Sequence, residues 1–354
     1  MRSSPASSTA TPWRARRVSP EAFRRIAVVS VWAIALTIIS GAAVRLTGSG
    51  LGCPDWPTCT ATSVAAPLHV HAWIEFGNRL INAFVTVASI GALAAALLRS
   101  PKRRDLTLLS SGLVVGLFGE VALGALVVEF KLAPGLVMAH FLFGIVLLAD
   151  SVVLSYLAGT PDRDVGQSTS APIALVGRAQ IALSRLLLAA LAVVVVLGTV
   201  VTSTGPHGGS PTASRFGFSL QSVARLHGTA VEIFLGITIV ALWNLSRTAA
   251  PRLVMRRAQI VLVAIAAQAG VGYAQYFNGD PVALVAVHVA GASLLVIASI
   301  RFYLGLWAYP AFPVEPTAEL DGPSQAARPS DPGATTSTGS TGAPGTGRAL
   351  SPTS

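Results

Sequence analysis

GAAVRLTGSGLGCPDWPTC, residues 41–59, closes one long apolar run and opens a Gly/Pro-rich loop that carries both cysteines of the chain. Its first eight residues return 157 positions later as GTVVTSTG, residues 198–205, again at the end of an apolar run and followed by PHGG. The two octets share Gly, Val, Thr and Gly at equivalent places. Other pairs keep a similar offset. His140 and His288, Glu120 and Gln268, and Gly124 and Gly272 lie 148 apart, and Asn78 and His227 lie 149 apart. An offset held over so many positions marks an internal duplication.

What is duplicated follows from composition. The 354 residues are 52% hydrophobic and 11% charged, against about 25% charged in a soluble domain, and the mean hydropathy is +0.65. Eight stretches are long and apolar enough to cross a bilayer: 26–46, 73–98, 107–129, 135–158, 182–203, 221–245, 255–276 and 282–305. The expected fold is an all-α integral membrane protein of eight transmembrane helices in two pseudo-symmetric four-helix bundles. Each copy has an even number of spans, so the repeats run parallel about an axis along the membrane normal.

The formal net charge of +10 does not mark a nucleic-acid binder. The basic residues sit in short stretches between apolar runs, where they report topology in the lipid bilayer. Segments 1–25, 99–105, 159–185 and 246–257 hold seventeen Lys and Arg, while the alternate loops hold only Lys131 and Arg215. The positive-inside rule therefore puts both termini in the cytoplasm and the cysteine loop outside. The expected organisation is a disordered basic cytoplasmic arm over 1–25, an N-terminal half over 26–158 with its outer cysteine loop at 47–72, and a cytoplasmic linker over 159–181. A C-terminal half over 182–305 and a disordered cytoplasmic tail over 311–354 complete it. A Cys53–Cys59 disulfide is chemically allowed outside the cell. Its role is either structural or a relay of electrons.

Ionisable groups inside spans are expensive, so each is a candidate for function. His140, His227 and His288 stand at one shallow level on spans 4, 6 and 8. Zinc takes three or four ligands, often with cysteine or carboxylate, and the second half has no nearby cysteine. Heme needs one or two axial ligands, which His227 and His288 from facing helices can supply. Arg215 and Arg225 in the second half, or Arg45 and Arg79 in the first, are candidates for heme propionates, and snorkelling to headgroups is the plain alternative. In span 2, His71, Glu75, Asn78 and Asn82 fall on one helix face. Glu75 there is either a working carboxylate or part of a helix-packing cluster with asparagine. Glu120 reads as a packing polar residue equivalent to Gln268, and His69 and His207 read as loop residues.

The segments VRLTGSGLGCPDWPTC, EFGNRL, PGLVMAH, GTVVTSTGPHGG, ARLHG and VAVH together resemble the heme A synthase family of bacterial and mitochondrial membranes, and most of all its high-GC Gram-positive branch. The resemblance covers about residues 26–305. It implies eight spans in two pseudo-symmetric halves and an enzyme of the bacterial cell membrane. The implied reaction oxidises the C8 methyl of heme O to the formyl of heme A, for cytochrome oxidase. It further implies that His227 and His288 are the axial ligands of heme b, that the first half binds heme O, and that Glu75 is the catalytic carboxylate. The heme O synthase farnesyltransferase is then an expected partner, beside an unknown electron acceptor. One departure stands out. The family motif Glu-x-x-His-Arg reads here Glu75-Phe-Gly-Asn78-Arg79. The substrate iron then has His140 as its sole protein ligand, with water or Asn78 opposite, unless His71 reaches in. The rival readings are a di-heme b-type electron-transfer cytochrome, a transporter or channel built from two repeats, and a non-enzymatic assembly factor.

Overall fold

The computed structural model describes residues 17–162 and 172–309. Its elements in order are α1 (Pro20–Leu46), α2 (Val70–Leu98), α3 (Arg104–Glu129), α4 (Pro134–Ala158), β1 (Ile173–Ala174), α5 (Arg178–Thr204), α6 (Leu220–Ser246), α7 (Arg252–Phe277), α8 (Val282–Leu304) and β2 (Trp307–Ala308). All eight helices, 23 to 29 residues long, are apolar and long enough to cross a membrane. At a 1.5 Å rise per residue they run about 35–44 Å, beyond the roughly 30 Å of a hydrocarbon core. The chain is a multi-pass, all-α membrane protein.

Local sequence sets the helix ends. Ser19 accepts a hydrogen bond from the Ala22 amide at 3.2 Å and Pro20 follows at the first helical position, a strong start signal. Residues 20–25, read from sequence as part of a disordered arm, are therefore the first turns of α1. The rest of that arm, to residue 16, lies outside the described residues, as does the tail expected over 311–354. His69, read as a loop residue, is the N-cap of α2 and accepts from the Ala72 amide at 3.3 Å. The stretch read as a linker over 159–181 contains more than a connection. Ile173 and Ala174 pair antiparallel with Trp307 and Ala308, tying the start of the second half to the segment after α8.

Within each half the helices close a ring: α1 meets α2, α2 meets α3, α3 meets α4 and α4 meets α1, and α5 to α8 repeat the circuit. Across the halves α4 packs on α8, α1 on α8 and α4 on α5. Exchanging the two copies maps that set of contacts onto itself, as a pseudo-twofold axis requires. Lipid is as apolar as leucine, so such helices associate through close packing and small residues. The α3–α4 seam shows this. A Cβ on Gly116 would stand 2.3 Å from the Leu147 side chain, and one on Gly119 would stand 2.9 Å from the Phe143 ring.

The loops at the disulfide end lock the halves together. The Gly50 amide donates to the Gly209 carbonyl at 2.8 Å, and Arg45 Nη1 donates to the Thr202 carbonyl at 3.3 Å. Buried Leu132 lies beneath Gly50 and Gly209. Gly209 has φ +93°, a backbone region open to glycine and strained for other residues. The duplicated octets thus meet at the interface between the copies. At the opposite end Arg99 pairs with Asp162 at 2.6 Å, and Arg257 donates to the Tyr156 hydroxyl at 3.4 Å.

Candidate functional site

The three histidines expected at one level share nearly the same helical position. His140 and His288 are the seventh residues of α4 and α8, and His227 is the eighth of α6. Each stands about 9–11 Å in from its helix start.

In the second half α6 and α8 bring the rings of His227 and His288 opposite each other in an edge-on arrangement, with centroids 6.5 Å apart and planes at 73°. An imidazole nitrogen ligates a metal at about 2 Å, which with the ring radii puts the centroids of two trans imidazoles about 6 Å apart. The spacing fits two axial ligands on one iron. Glycine sets how far each ring withdraws toward its neighbouring helix. A Cβ on Gly198 would lie 3.2 Å from His227 Cε1, and a Cβ on Gly272 would lie 3.3 Å from His288 Cε1. Among the described residues no group of three or more His, Cys, Asp or Glu gathers as a metal site, so the pair fits heme better than zinc.

The first half departs from this plan on both helices. Asn78 occupies the place of His227, and its Oδ1 accepts from Ser40 Oγ of α1 at 2.7 Å. Gly41, the counterpart of Gly198, has nothing within 4 Å of where its Cβ would stand. His140 keeps its glycine, with Gly124 facing Cε1 at 3.6 Å. Its Nδ1 meets Glu120 Oε2 of α3 at 2.5 Å, and its side chain keeps 40% of its surface open. Both atoms of that contact are buried and off the line of a full hydrogen bond. Glu120 is therefore not the plain packing residue that the sequence reading makes of it. Its counterpart Gln268 does a different job, donating from Nε2 to the His288 carbonyl at 2.9 Å. Asp150, deeper on α4, also has a buried oxygen without a hydrogen-bond partner among the described residues. The sequence signal for it is an ionisable residue within a span.

Glu75 is 5% exposed and serves the cysteine loop. Its Oε2 accepts from the Cys53 amide at 2.8 Å and its Oε1 pairs with Arg79 Nη2 at 2.7 Å. Arg79 also donates to the carbonyls of Cys53, Asp55 and Thr58, at 2.9, 3.0 and 3.0 Å. Cys53 and Cys59 form the disulfide, so carboxylate, guanidinium and disulfide make one clamp. Gly52 fits beneath it because a Cβ there would lie 2.4 Å from the His71 carbonyl oxygen. His71 itself is exposed, and its Nδ1 bonds to Ser49 Oγ at 2.9 Å. It stands two turns outward of Asn78 on α2.

The arginines proposed from sequence divide. Arg45 bridges the halves at the disulfide end. Arg215 reaches back to the carbonyls of Gly205 and Pro206. Arg225 is exposed and, two residues before His227, projects about 200° away around α6. His207 is a loop residue as expected, bonded through Nε2 to the Asp280 carbonyl at 2.8 Å.

The family described as cytochrome oxidase assembly protein matches residues 24–206. That segment contains the cysteine loop, Glu75, Asn78, Glu120 and His140, and it ends before α6. The chain is 33% identical over 165 residues to a heme A synthase of Shewanella oneidensis, covering 40% of this chain and 48% of that protein. It is 34% identical over 125 residues to a heme A synthase of Geobacillus kaustophilus, covering 34% and 37%. Another, from Geobacillus thermodenitrificans, is 31% identical over 153 residues, covering 39% and 46%. The alignments span about half the length of these curated relatives, or less.

Proposed function

The chain belongs to the cytochrome oxidase assembly protein family, and from that footing we propose that it is a heme A synthase, oxidising the C8 methyl of heme O to the formyl of heme A for cytochrome oxidase. The observation that carries the reading is the difference between two copies of one bundle. The second half presents two facing imidazoles 6.5 Å apart, and the first presents one imidazole backed by a carboxylate. A resident cofactor suits two protein ligands, and a substrate that must enter and leave suits one. The names of the relatives point to the same chemistry.

In this reading His227 and His288 hold a b-type heme, with Gly198 and Gly272 setting the depth of each ring. That heme, when bound, supplies one-electron transfer. His140 holds the iron of heme O, and Asn78 stays with Ser40. The methyl group takes up water and gives up two electrons and two protons, becoming the alcohol. A second such oxidation gives the gem-diol, which loses water to leave the aldehyde. The electrons pass to an acceptor. Glu75 is the candidate catalytic group. Both of its oxygens are held, by the Cys53 amide and by Arg79, which favours a fixed negative charge stabilising a cationic methyl carbon over a mobile general base. Arg79 thereby serves Glu75 and the disulfide loop, and Arg45, which bridges to the Thr202 carbonyl, is kept as the first-half propionate candidate. The Arg-rich end faces the cytoplasm with both termini, the disulfide faces out, and the membrane is the bacterial cell membrane. The farnesyltransferase that makes heme O hands its apolar product over directly, which co-purification in mild detergent tests.

The decisive experiment co-expresses the chain with a source of heme O, purifies it and chromatographs the extracted hemes. Heme A or its hydroxylated precursor is expected. Heme B alone, with no conversion, overturns the proposal in favour of an electron-transfer cytochrome. In Glu75→Gln, heme content is expected to persist while the product disappears.

A further inference from the structure

We propose that Glu120 is the positioning carboxylate of His140, and that it compensates in the first half for the second imidazole that Asn78 does not supply. The inference rests on the reading of His140 as the ligand of the substrate heme.

Three observations converge. The first is contact: Glu120 Oε2 and His140 Nδ1 lie 2.5 Å apart, both are buried, and neither atom is claimed by a hydrogen bond among the described residues. The carboxylate can lie there because residue 144 is glycine, whose Cβ would stand 2.9 Å from Glu120 Oε1. The second is the chain's own control. Gln268, at the matching place in the second copy, leaves the His288 ring alone and bonds to its main-chain carbonyl. The third is where the difference falls. The half with the carboxylate is the half in which asparagine, turned toward Ser40, stands where the other copy has histidine.

The chemistry explains the pairing. A carboxylate this close to Nδ1 needs only a small turn of the ring to accept an N–H···O bond from it, which leaves the Nε2 lone pair for the metal. It also orients the ring and raises the basicity of the ligating atom. A single ligand needs that support more than a pair does. Packing alone does not call for a carboxylate, because an amide fills the equivalent position at far lower cost within a membrane. Glu120→Gln thus converts the first-half arrangement toward that of the second.

The test uses the full chain, purified in detergent and loaded with heme O, in three forms: unmodified, His140→Ala and Glu120→Gln. Optical redox titration is expected to resolve two heme components. In Glu120→Gln the first-half component shifts to a higher midpoint potential, because a less basic ligand favours ferric iron less. That heme is also held about 10–100-fold more weakly, while the second-half component stays in place and reports an intact fold. An unchanged potential and unchanged retention in Glu120→Gln, with the component lost in His140→Ala, overturn this inference and leave the proposed function standing. Both components persisting in His140→Ala would remove the heme site on which the inference rests. If Glu120→Gln does not fold, Glu120→Asp carries the same test, since the shorter side chain withdraws the carboxylate from the ring and moves both readouts in the same direction.

Discussion

Substituting Arg79→Met removes one partner of a nearly dry ion pair and keeps the bulk of the side chain. The Glu75 carboxylate, with 6% of its side chain exposed, loses a partner that was itself only 19% exposed. The carbonyls of Cys53, Asp55 and Thr58 lose their donor at the same time. Breaking a buried pair from one side costs about 3–5 kcal/mol, and the residual exposure of Arg79 argues for the lower end. About 3 kcal/mol corresponds to a factor of roughly 150 in the population of the open loop. The cost falls on local opening, because the clamp holds residues 53–58 to α2 and does not join the bundle helices to one another. The assay is mass-tagging of Cys53 and Cys59 with a maleimide after brief, mild reduction, at protein concentrations where the bundle stays folded. Arg79→Met should label about a hundredfold faster than the unmodified chain. The double variant Glu75→Gln/Arg79→Met no longer strands a charge and should recover about tenfold of that difference. Labelling of the single variant at the original rate, or of the double variant as fast as the single, would refute the clamp.

Three further outcomes test other parts of the structure. Gly52→Ala should prevent the cysteine loop from seating, because its Cβ would meet main-chain atoms of His71 and Ala72 at 2.4–2.8 Å. Free thiols at Cys53 and Cys59, or disulfide-linked dimers on a non-reducing gel, would show this. Gly272→Val adds methyl groups against a ring already 3.3 Å from the Cβ position, an overpacking of about 1–3 kcal/mol. If the proposed assignment holds, retention of heme at the His227–His288 site through gel filtration should weaken roughly 5- to 150-fold while heme at the His140 site is unaffected. Arg99→Met leaves Asp162 only the longer 4.0 Å contact to Arg103 and the Pro101 carbonyl without its donor. It should lower the melting temperature in detergent, and added salt should not mask the loss because Arg99 is only 2% exposed.

Much of the architecture was legible from local patterns. The eight spans, the duplication and the shared level of His140, His227 and His288 each follow from hydropathy or from a fixed offset between polar residues. The facing of His227 and His288 was also foreseeable, because two histidines at equal depth on helices of one small ring have little room to avoid each other. The role of Glu120 was hidden by its good match to Gln268. The offset equates their positions, but it says nothing about whether each side chain turns to a ring or to a carbonyl. Glu75 stands out in the sequence as an ionisable residue within a span, on one helix face with His71, Asn78 and Asn82. Its partners do not, since the Cys53 amide lies 22 residues away across a loop. The start of α1 at Pro20 was in the sequence all along, in Ser19 and Pro20, beneath a basic composition that suggested disorder.

The sequence by itself determined the membrane fold, the repeat and the residue types available for a heme site. These depend on transfer free energies and helical periodicity, which act residue by residue along the chain. Only the tertiary structure decided which polar atoms meet. It turned Glu120 onto His140 but Gln268 onto a main-chain carbonyl, drew Asn78 to Ser40, and set Glu75 and Arg79 around the disulfide. A contact of about 3 Å between helices depends on their closest approach and on rotamers chosen against neighbours from elsewhere in the chain. Glycines at 124, 144, 198 and 272 permit that approach, and their effect exists only once the facing helix is in place.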